Sequence, residues 1–136
     1  MKRVFVDTGG FFALLVADDA NHQRARELFD QAAREGWRLV TTNAVVTETY
    51  ALLLVRTRER RSKAIAFLDS FATSGVRVER VRVRDEEQAH ARVRAHTDKS
   101  YSLCDAYSFV VMHRLGVKEA IAFDRHFREY GKLAVL

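Results

Sequence analysis

Short apolar runs alternate with longer segments of mixed polarity along the chain. Arg3–Val6 and Arg38–Thr42 are apolar or β-branched runs of strand length, and further strand-like runs begin near residues 76, 119 and 133. Strands that alternate with helices in this way build a parallel sheet whose two faces are covered by helices. The pattern therefore predicts an α/β fold, a three-layer α/β/α sandwich with a central, mainly parallel sheet.

The segments between the strands carry apolar residues at the three- and four-residue spacing of amphipathic helices. The predicted helices are the apolar stretch after Gly10, the segment that ends near Gly36, Ala44 to about Arg56, Ser62–Thr73, Asp85 to about His96, Ser102–Gly116 and Asp124–Tyr130. Asn43 and Asp85 are the expected N-caps of two of these helices. In the third strand the valines change phase after Val78, which predicts a bend or an end near Glu79.

Length and composition narrow the class of protein. With 136 residues, of which 48% are hydrophobic and 30% charged, the chain fits a single domain over residues 1–136 and is too apolar to be disordered as a whole. Its longest apolar runs are far shorter than the roughly 18 residues of a membrane helix, so a soluble protein without a membrane partner is expected. Cys104 is the only cysteine, which excludes an internal disulfide and favours a cytoplasmic location.

Basic residues outnumber acidic ones. Lys and Arg total 23 against 18 Asp and Glu, a net charge of +5, which favours a polyanionic partner such as nucleic acid. The densest basic run comprises Arg56, Arg58, Arg60, Arg61 and Lys63, and a second run comprises Arg77, Arg80, Arg82 and Arg84. Each run fits a nucleic-acid contact, and each fits a solvated face or a contact between subunits about equally well.

Four acidic residues stand where a strand end or a core is predicted. Asp7 and Asp124 directly follow apolar strands, and the carboxyl ends of parallel strands form the edge at which α/β folds build their sites. Glu48 lies among mainly apolar residues at helical spacing between Ala44 and Val55, where a carboxylate is costly unless it is compensated. Asp105 lies in the first turn of its predicted helix. These positions make the four acids candidates for a functional site.

Three of these acids also have a structural alternative. Asp7 and Asp124 fit helix N-caps, and Ser102 with Asp105 fits a capping box. If all four converge on one edge of the sheet, their mutual repulsion requires a bound cation or raised pKa values. An all-oxygen site favours Mg²⁺ or Mn²⁺. The five histidines show no ligand spacing, and only His126 is a candidate substrate contact.

Four short motifs carry a resemblance that spans nearly the whole chain. They are Asp7-Thr8-Gly9-Gly10, Thr47-Glu48, Ser102-Leu103-Cys104-Asp105-Ala106 and Ala122-Phe123-Asp124-Arg125-His126-Phe127. In this order and context they resemble the PIN-domain ribonucleases and, more narrowly, the single-domain VapC-type toxins of type II toxin-antitoxin systems. The resemblance implies that the catalytic and metal-binding residues are Asp7, Glu48, Asp105 and Asp124. It also implies supporting roles for Thr8, Ser102 and Asp98.

The implied activity is that of an endoribonuclease that hydrolyses RNA phosphodiester bonds with Mg²⁺ or Mn²⁺. The implied partners are the RNA substrate, a second copy of the chain in a homodimer, and a cognate antitoxin protein. Two alternatives stay open at this point. One is a free-standing PIN-fold nuclease that processes RNA without an antitoxin, and the other is a non-catalytic RNA-binding or regulatory module.

Overall fold

The structure is a computed structural model that describes residues 1–96 and 98–136, and its strands form one sheet. They are β1 (Arg3–Val6), β2 (Arg38–Thr42), β3 (Arg77–Glu79), β4 (Glu119–Ile121) and β5 (Ala134–Val135). The order across the sheet is β3-β2-β1-β4-β5, and each neighbouring pair is parallel. The predicted parallel sheet is confirmed, with β1 at its centre.

Helices connect the successive strands. They are α1 (Thr8–Leu15), α2 (His22–Glu35), α3 (Asn43–Arg56), α4 (Arg61–Ser70), α5 (Val83–Ala95), α6 (Leu103–Leu115) and α7 (Arg125–Tyr130). Their bounds agree with the predicted helices to within a few residues, and with the sheet they form the predicted α/β sandwich. Among the described residues, no helix combines the length and the apolar character needed to cross a membrane.

The core lies on both sides of the central strand. Val4–Val6 are fully buried, because β1 pairs along both of its edges and its side chains alternate between the two covered faces of the sheet. Phe109 of α6 packs against Phe127 of α7 with their ring centroids 4.9 Å apart, and Phe127 also stacks near Phe5. This aromatic packing holds α6 and α7 against β1, the strand that precedes Asp7.

The start of α1 lies very close to β4. A Cβ atom on Gly10 would come within 2.8 Å of the Ile121 carbonyl oxygen and 3.2 Å of the Val6 side chain, so only glycine fits this position without a shift of the backbone. The Asp7 N–H donates to the same Ile121 carbonyl at 3.1 Å. These contacts fix the turn between β1 and α1 at the carboxyl edge of the sheet.

The expected N-cap of α3 is wrong by one residue. Thr42 is the cap, because its Oγ1 accepts the Val45 N–H at 3.1 Å. Asn43 is the first residue of the helix, and its Oδ1 accepts the Val81 N–H at 2.8 Å. The Asn43 side chain therefore stabilises the segment after β3 instead of the helix that it begins.

The expected N-cap of α5 is also wrong. The helix begins at Val83, so Asp85 lies at its third position and accepts the Arg82 N–H at 2.8 Å. The phase change among the valines has the predicted effect, because β3 ends at Glu79. Sequence spacing located this end of the strand but not the cap of the following helix, which is Arg82.

Candidate metal centre

Two of the four acids meet because their strands are neighbours. Asp7 follows β1 and Asp124 follows β4, and these strands pair in parallel, so both residues lie at the same carboxyl edge. Asp105 is in the first turn of α6 and Glu48 is in the second turn of α3. The negative charges of Asp105, Glu48 and Asp124 all act on the carboxyl group of Asp7. We call these four residues the acidic edge.

Asp7 is the most deeply buried member, with 3% of its surface exposed. It occupies the N-cap position of α1, but its side chain makes no capping hydrogen bond. Burial, followed by the negative charge of Asp105, raises the pKa of Asp7 from 3.8 to about 8, and the neighbouring Thr8 N–H offsets only part of this rise. At neutral pH Asp7 therefore retains a proton unless a cation takes the proton's place.

Asp105 combines both roles that its sequence position allowed. Its Oδ2 accepts the Ser102 N–H at 3.2 Å, and Ser102 Oγ accepts the Asp105 N–H at 3.0 Å, so the capping box is present. Burial, with a further contribution from the negative charge of Asp124, nevertheless raises the pKa of Asp105. The hydrogen bonds of the capping box therefore do not compensate fully for the burial of this carboxyl group.

His126 lies between two of the acids. Its Nδ1 is 3.1 Å from Asp105 Oδ2 and 3.1 Å from Asp124 Oδ1, and the ligand atoms of the three residues all lie within 4.8 Å of one another. Its Nε2 is 3.1 Å from Ser100 Oγ. Asp124 is also the cap of α7, since its Oδ1 accepts the backbone N–H of His126 at 2.8 Å. Spacing along the sequence gave no indication of this three-residue group.

Glu48 lies beside the buried face of α3 and not within it. The buried residues of this helix are Val45, Thr49 and Leu53. Glu48 is half-buried and Val55 is 71% exposed, so part of the apolar stretch around Glu48 faces solvent. The free-energy cost of placing a carboxylate here is therefore smaller than the sequence pattern suggested. Burial, and then the Glu48 carboxylate, raise the pKa of Cys104. The cysteine that precedes Asp105 therefore remains a protonated thiol next to the acidic edge.

Arginine and lysine do not neutralise the acidic edge. Within residues 1–96 and 98–136, none of its members forms a salt bridge with either residue type, and His126 is the only basic side chain that approaches. In the same part of the chain, Thr8 Oγ1 is buried and has no hydrogen-bond partner. Carboxylates with raised pKa values next to an unpaired hydroxyl are donors that suit a hard divalent cation, so these residues fit Mg²⁺ or Mn²⁺.

The other predicted supporting residues differ in their placement. Ser102 is exposed and bonded to Asp105 through the capping box. Asp98 is exposed on the segment before α6, and in the described part of the chain no hydrogen bond or salt bridge joins it to the acidic edge. Ser102 thus has a direct structural link to the site, whereas Asp98 has none there.

The first basic run lies at the corner between α3 and α4. Its four arginines are exposed, namely Arg56, Arg58, Arg60 and Arg61. Lys63 is different, because it is half-buried and its Nζ donates to the Leu15 carbonyl at the end of α1 at 2.7 Å. A cation at this position stabilises the carbonyl end of a helix. The arginines are free to contact a partner, whereas Lys63 already has a role in the fold.

Two arginines of the second basic run take part in a cluster of ion pairs that no local sequence pattern indicates. Arg114 of α6 donates to Asp85 at 3.0 and 2.9 Å and to Glu79 at 2.8 Å. Arg77 and Arg82 also pair with Glu79. We call these five residues the arginine cluster. Arg114 lies 29 and 35 residues from its two partners, too far apart for any local sequence pattern to indicate the contact.

The two buried acids of the arginine cluster have lowered pKa values. For Glu79 the main cause is the hydrogen bond from Arg114. For Asp85, burial acts in the opposite direction, but the hydrogen bonds from Arg114 and from the Arg82 backbone outweigh it. Both acids are thus ionised at neutral pH and neutralised by their partners, which is the character of a structural group of charges.

Comparison with known proteins gives a consistent result. The PIN domain family model matches residues 4–133. The chain is 38% identical, over 132 residues and 97% of each sequence, to the 23S rRNA-specific endonuclease VapC20 of Mycobacterium tuberculosis. It superposes on the crystal structure of Mycobacterium tuberculosis VapC20, a sarcin-ricin loop cleaving toxin, with a TM-score of 0.87 and 35% identity over 96% of both chains.

A more distant similarity shows the fold alone. VapBC2 from Rickettsia felis, in a crystal structure with a DNA fragment from its promoter, matches with a TM-score of 0.71. The match covers 98% of this chain and 97% of that one at 7% identity. The fold therefore persists where most of the sequence has changed.

Proposed function

The chain belongs to the PIN-domain family, and from this premise we propose that it is a metal-dependent endoribonuclease and the toxin of a toxin-antitoxin pair. The observation that carries the proposal is the acidic edge. It gathers four carboxylates, one with a pKa of about 8, and within the described residues no lysine or arginine pairs with them. Without a bound cation, such a group of carboxylates destabilises the folded protein. It is therefore expected in a protein that binds a divalent cation there.

In this proposal the metal ligands and catalytic residues are Asp7, Glu48, Asp105 and Asp124. A bound Mg²⁺ or Mn²⁺ supplies a Lewis acid, which activates water and offsets charge on the phosphodiester. Asp7 is the most deeply buried of the four acids, so its ionised carboxylate gains the most from a bound cation. The unpaired Thr8 hydroxyl is a further polar group for the substrate or for a ligand at the site, and Ser102 orients Asp105 through the capping box.

We assign ribosomal RNA of the large subunit as the substrate class, because a relative of 38% identity is a 23S rRNA-specific endonuclease. The exposed arginines at the corner between α3 and α4 support an RNA partner. Arg56 lies beyond Glu48 on the same helix, about 12 Å further along the axis at 1.5 Å per residue. An RNA strand that binds at the acidic edge and follows this helix would bring its phosphates to the exposed arginines.

The proposal also includes the state of the protein in the cell. We assign residues 1–136 to one nuclease domain that acts in the cytoplasm, pairs with a second copy and is neutralised by a cognate antitoxin. The 71% exposed Val55, at the end of an apolar stretch of α3, supports a contact between two copies. Light scattering at micromolar concentration should give a mass near twice 15.6 kDa, and a monomer alone would remove this part of the proposal.

The central test is cleavage of RNA by the purified protein. Wild type should cut 23S rRNA in intact large ribosomal subunits when Mg²⁺ or Mn²⁺ is present and should stop when EDTA is added. Asp7→Asn, which keeps the shape of the side chain, should lower the rate at least about 100-fold, since even partners behind a metal ligand are worth 10- to 100-fold. Denaturing gels and primer extension measure both the rate and the position of the cut.

Asp30→Asn is the matched control, because Asp30 is exposed on α2 and should leave the rate unchanged. Cleavage by Asp7→Asn at the wild-type rate would show that the site is assigned wrongly. RNA binding without cleavage under any metal condition would instead favour the non-catalytic module. Cleavage by a protein whose gene has no adjacent antitoxin would favour the free-standing nuclease.

A further inference from the structure

The position of His126 is unusual for a histidine that only forms a hydrogen bond. A protonated Nδ1 carries a single N–H, yet two carboxylate oxygens, Asp105 Oδ2 and Asp124 Oδ1, both lie 3.1 Å from this nitrogen. Asp124 Oδ1 already accepts the His126 backbone N–H at 2.8 Å. The group therefore has more acceptors around Nδ1 than one proton can satisfy.

The same distances suit three donors to one cation. Octahedral ligands about 2.1 Å from an ion and at right angles to each other are separated by about 3.0 Å. The two distances of 3.1 Å from Nδ1 match that edge length, and the three ligand atoms lie within 4.8 Å of one another. Asp7 and Glu48 complete the surrounding negative charge without belonging to this compact group.

The other side of the imidazole ring is held in the way that metal-bound histidines usually are. Nε2 lies 3.1 Å from Ser100 Oγ, and the Tyr101 ring packs edge-on against the histidine with centroids 5.8 Å apart. When Nε2 carries the proton and donates it to Ser100, the lone pair of Nδ1 points toward the carboxylates. A partner behind the ring that fixes the tautomer in this way is typical of histidine ligands.

We propose that His126 is a nitrogen ligand of the cation held by Asp105 and Asp124, and that Ser100 positions its ring. This inference rests on the proposed function, and it changes the expected metal. Mg²⁺ strongly prefers oxygen ligands, whereas an imidazole nitrogen favours transition-metal ions, so the site selects Mn²⁺ over Mg²⁺. Loss of the imidazole should therefore weaken Mn²⁺ binding more than Mg²⁺ binding.

The direct test is electron spin echo envelope modulation on wild type loaded with Mn²⁺ alone. A coordinated imidazole gives a ¹⁴N modulation, which should disappear in His126→Gln and should change to the ¹⁵N pattern in wild type grown with ¹⁵N-histidine. His90→Gln is the matched control, because His90 contacts Tyr107 on another part of the surface and should leave the modulation unchanged. The isotope experiment needs no substitution, so it stands even if a variant folds poorly.

Calorimetric titrations with each ion give the second readout. His126→Gln should raise the Kd for Mn²⁺ about 10-fold or more and the Kd for Mg²⁺ less than about 3-fold, and Ser100→Ala should weaken Mn²⁺ binding by a smaller factor. Mn²⁺ binding and RNA cleavage without a histidine modulation would overturn the role of His126 and leave the nuclease proposal intact. Failure of wild type to bind either ion or to cut RNA would overturn both proposals.

Discussion

The acidic edge and the arginine cluster each contain two buried acids, Asp7 and Asp105 in the first and Glu79 and Asp85 in the second, but the pKa values of the two pairs are shifted in opposite directions. In the arginine cluster, hydrogen bonds from Arg114 lower the pKa values of Glu79 and Asp85. In the acidic edge, burial and mutual repulsion raise the pKa values of Asp7 and Asp105. All four side chains have little exposed surface. Burial dominates the shift at Asp7 and Asp105, whereas hydrogen bonds to Arg114 and to the backbone outweigh it at Glu79 and Asp85.

This difference separates a structural group of charges from a functional one. A neutralised cluster contributes to the fold as it stands and needs no further partner. A group of acids with raised pKa values lowers the stability of the folded state at neutral pH, and the protein recovers that stability when a cation binds. Removing a charged side chain should therefore lower the stability of the metal-free protein in the arginine cluster and raise it in the acidic edge.

Among the single substitutions at fixed pH, the largest loss of stability is expected at Arg114. Arg114→Met leaves Glu79 and Asp85 buried without their main partner, which should lower the free energy of unfolding by about 3 to 5 kcal/mol. Urea unfolding measures this loss, and Arg94→Met, which changes an exposed arginine of α5, should stay within about 0.5 kcal/mol of wild type. Equal effects of the two changes would mean that the arginine cluster is not neutralised as described.

The loss of stability with rising pH should come mainly from Asp7, with a contribution of the same sign from Asp105, whose pKa is also raised. The pKa of Asp7 rises from 3.8 to about 8 on folding, so the folded state holds a proton that the unfolded state has lost. The resulting stability is fully present below about pH 4 and is lost as pH rises to about 8, at up to about 1.4 kcal/mol per pH unit. Glu79 and Asp85 have lowered pKa values, so the stability that they contribute is lost only as pH falls into the acidic range.

Urea unfolding of metal-free protein between pH 5 and 9 measures this slope. Asp7→Asn should flatten it, because the amide does not titrate, whereas Asp30→Asn should keep the slope of wild type. A metal-free Asp7→Asn variant that still loses stability steeply over this range would show that another group carries the proton.

The smallest effect is expected at Asp105, where two roles oppose each other. In Asp105→Asn the amide oxygen can still accept the Ser102 N–H, so the capping box survives while one negative charge leaves the acidic edge. Metal-free stability should rise by about 1 kcal/mol. Wild type should gain about 2.7 kcal/mol from a cation at a hundred times its Kd, and the variant much less.

Thermal melts near pH 8 measure both effects. Asp105→Asn should have the higher melting temperature in EDTA, and wild type should have the higher one at the end of a Mn²⁺ titration. If Asp105 acts only as a helix cap, the variant is less stable in EDTA and responds to Mn²⁺ as wild type does. That outcome would contradict the description of the acidic edge.

The sequence was sufficient for the parts of the molecule that local patterns determine. Alternating strands and helices predicted the parallel sheet, and acids that follow strands predicted which edge carries the charges. The family is confirmed by the match over residues 4–133. The contacts of Arg114 and His126 could not be predicted, because they join segments that are distant in the chain and depend on how α6 packs. Lys63 could not be distinguished from the neighbouring arginines for the same reason, because its hydrogen bond to the Leu15 carbonyl joins two distant segments.

The pairing of β1 with β4 also has a consequence for the timing of synthesis. Asp7 is translated early and Asp124 late, and the two acids become neighbours only when β4 takes its place beside β1. A growing chain that has not yet extended beyond α6 lacks this strand, Asp124 and His126. Such a nascent chain cannot assemble the acidic edge, so the order of the strands delays the proposed nuclease activity until most of the protein has been synthesised.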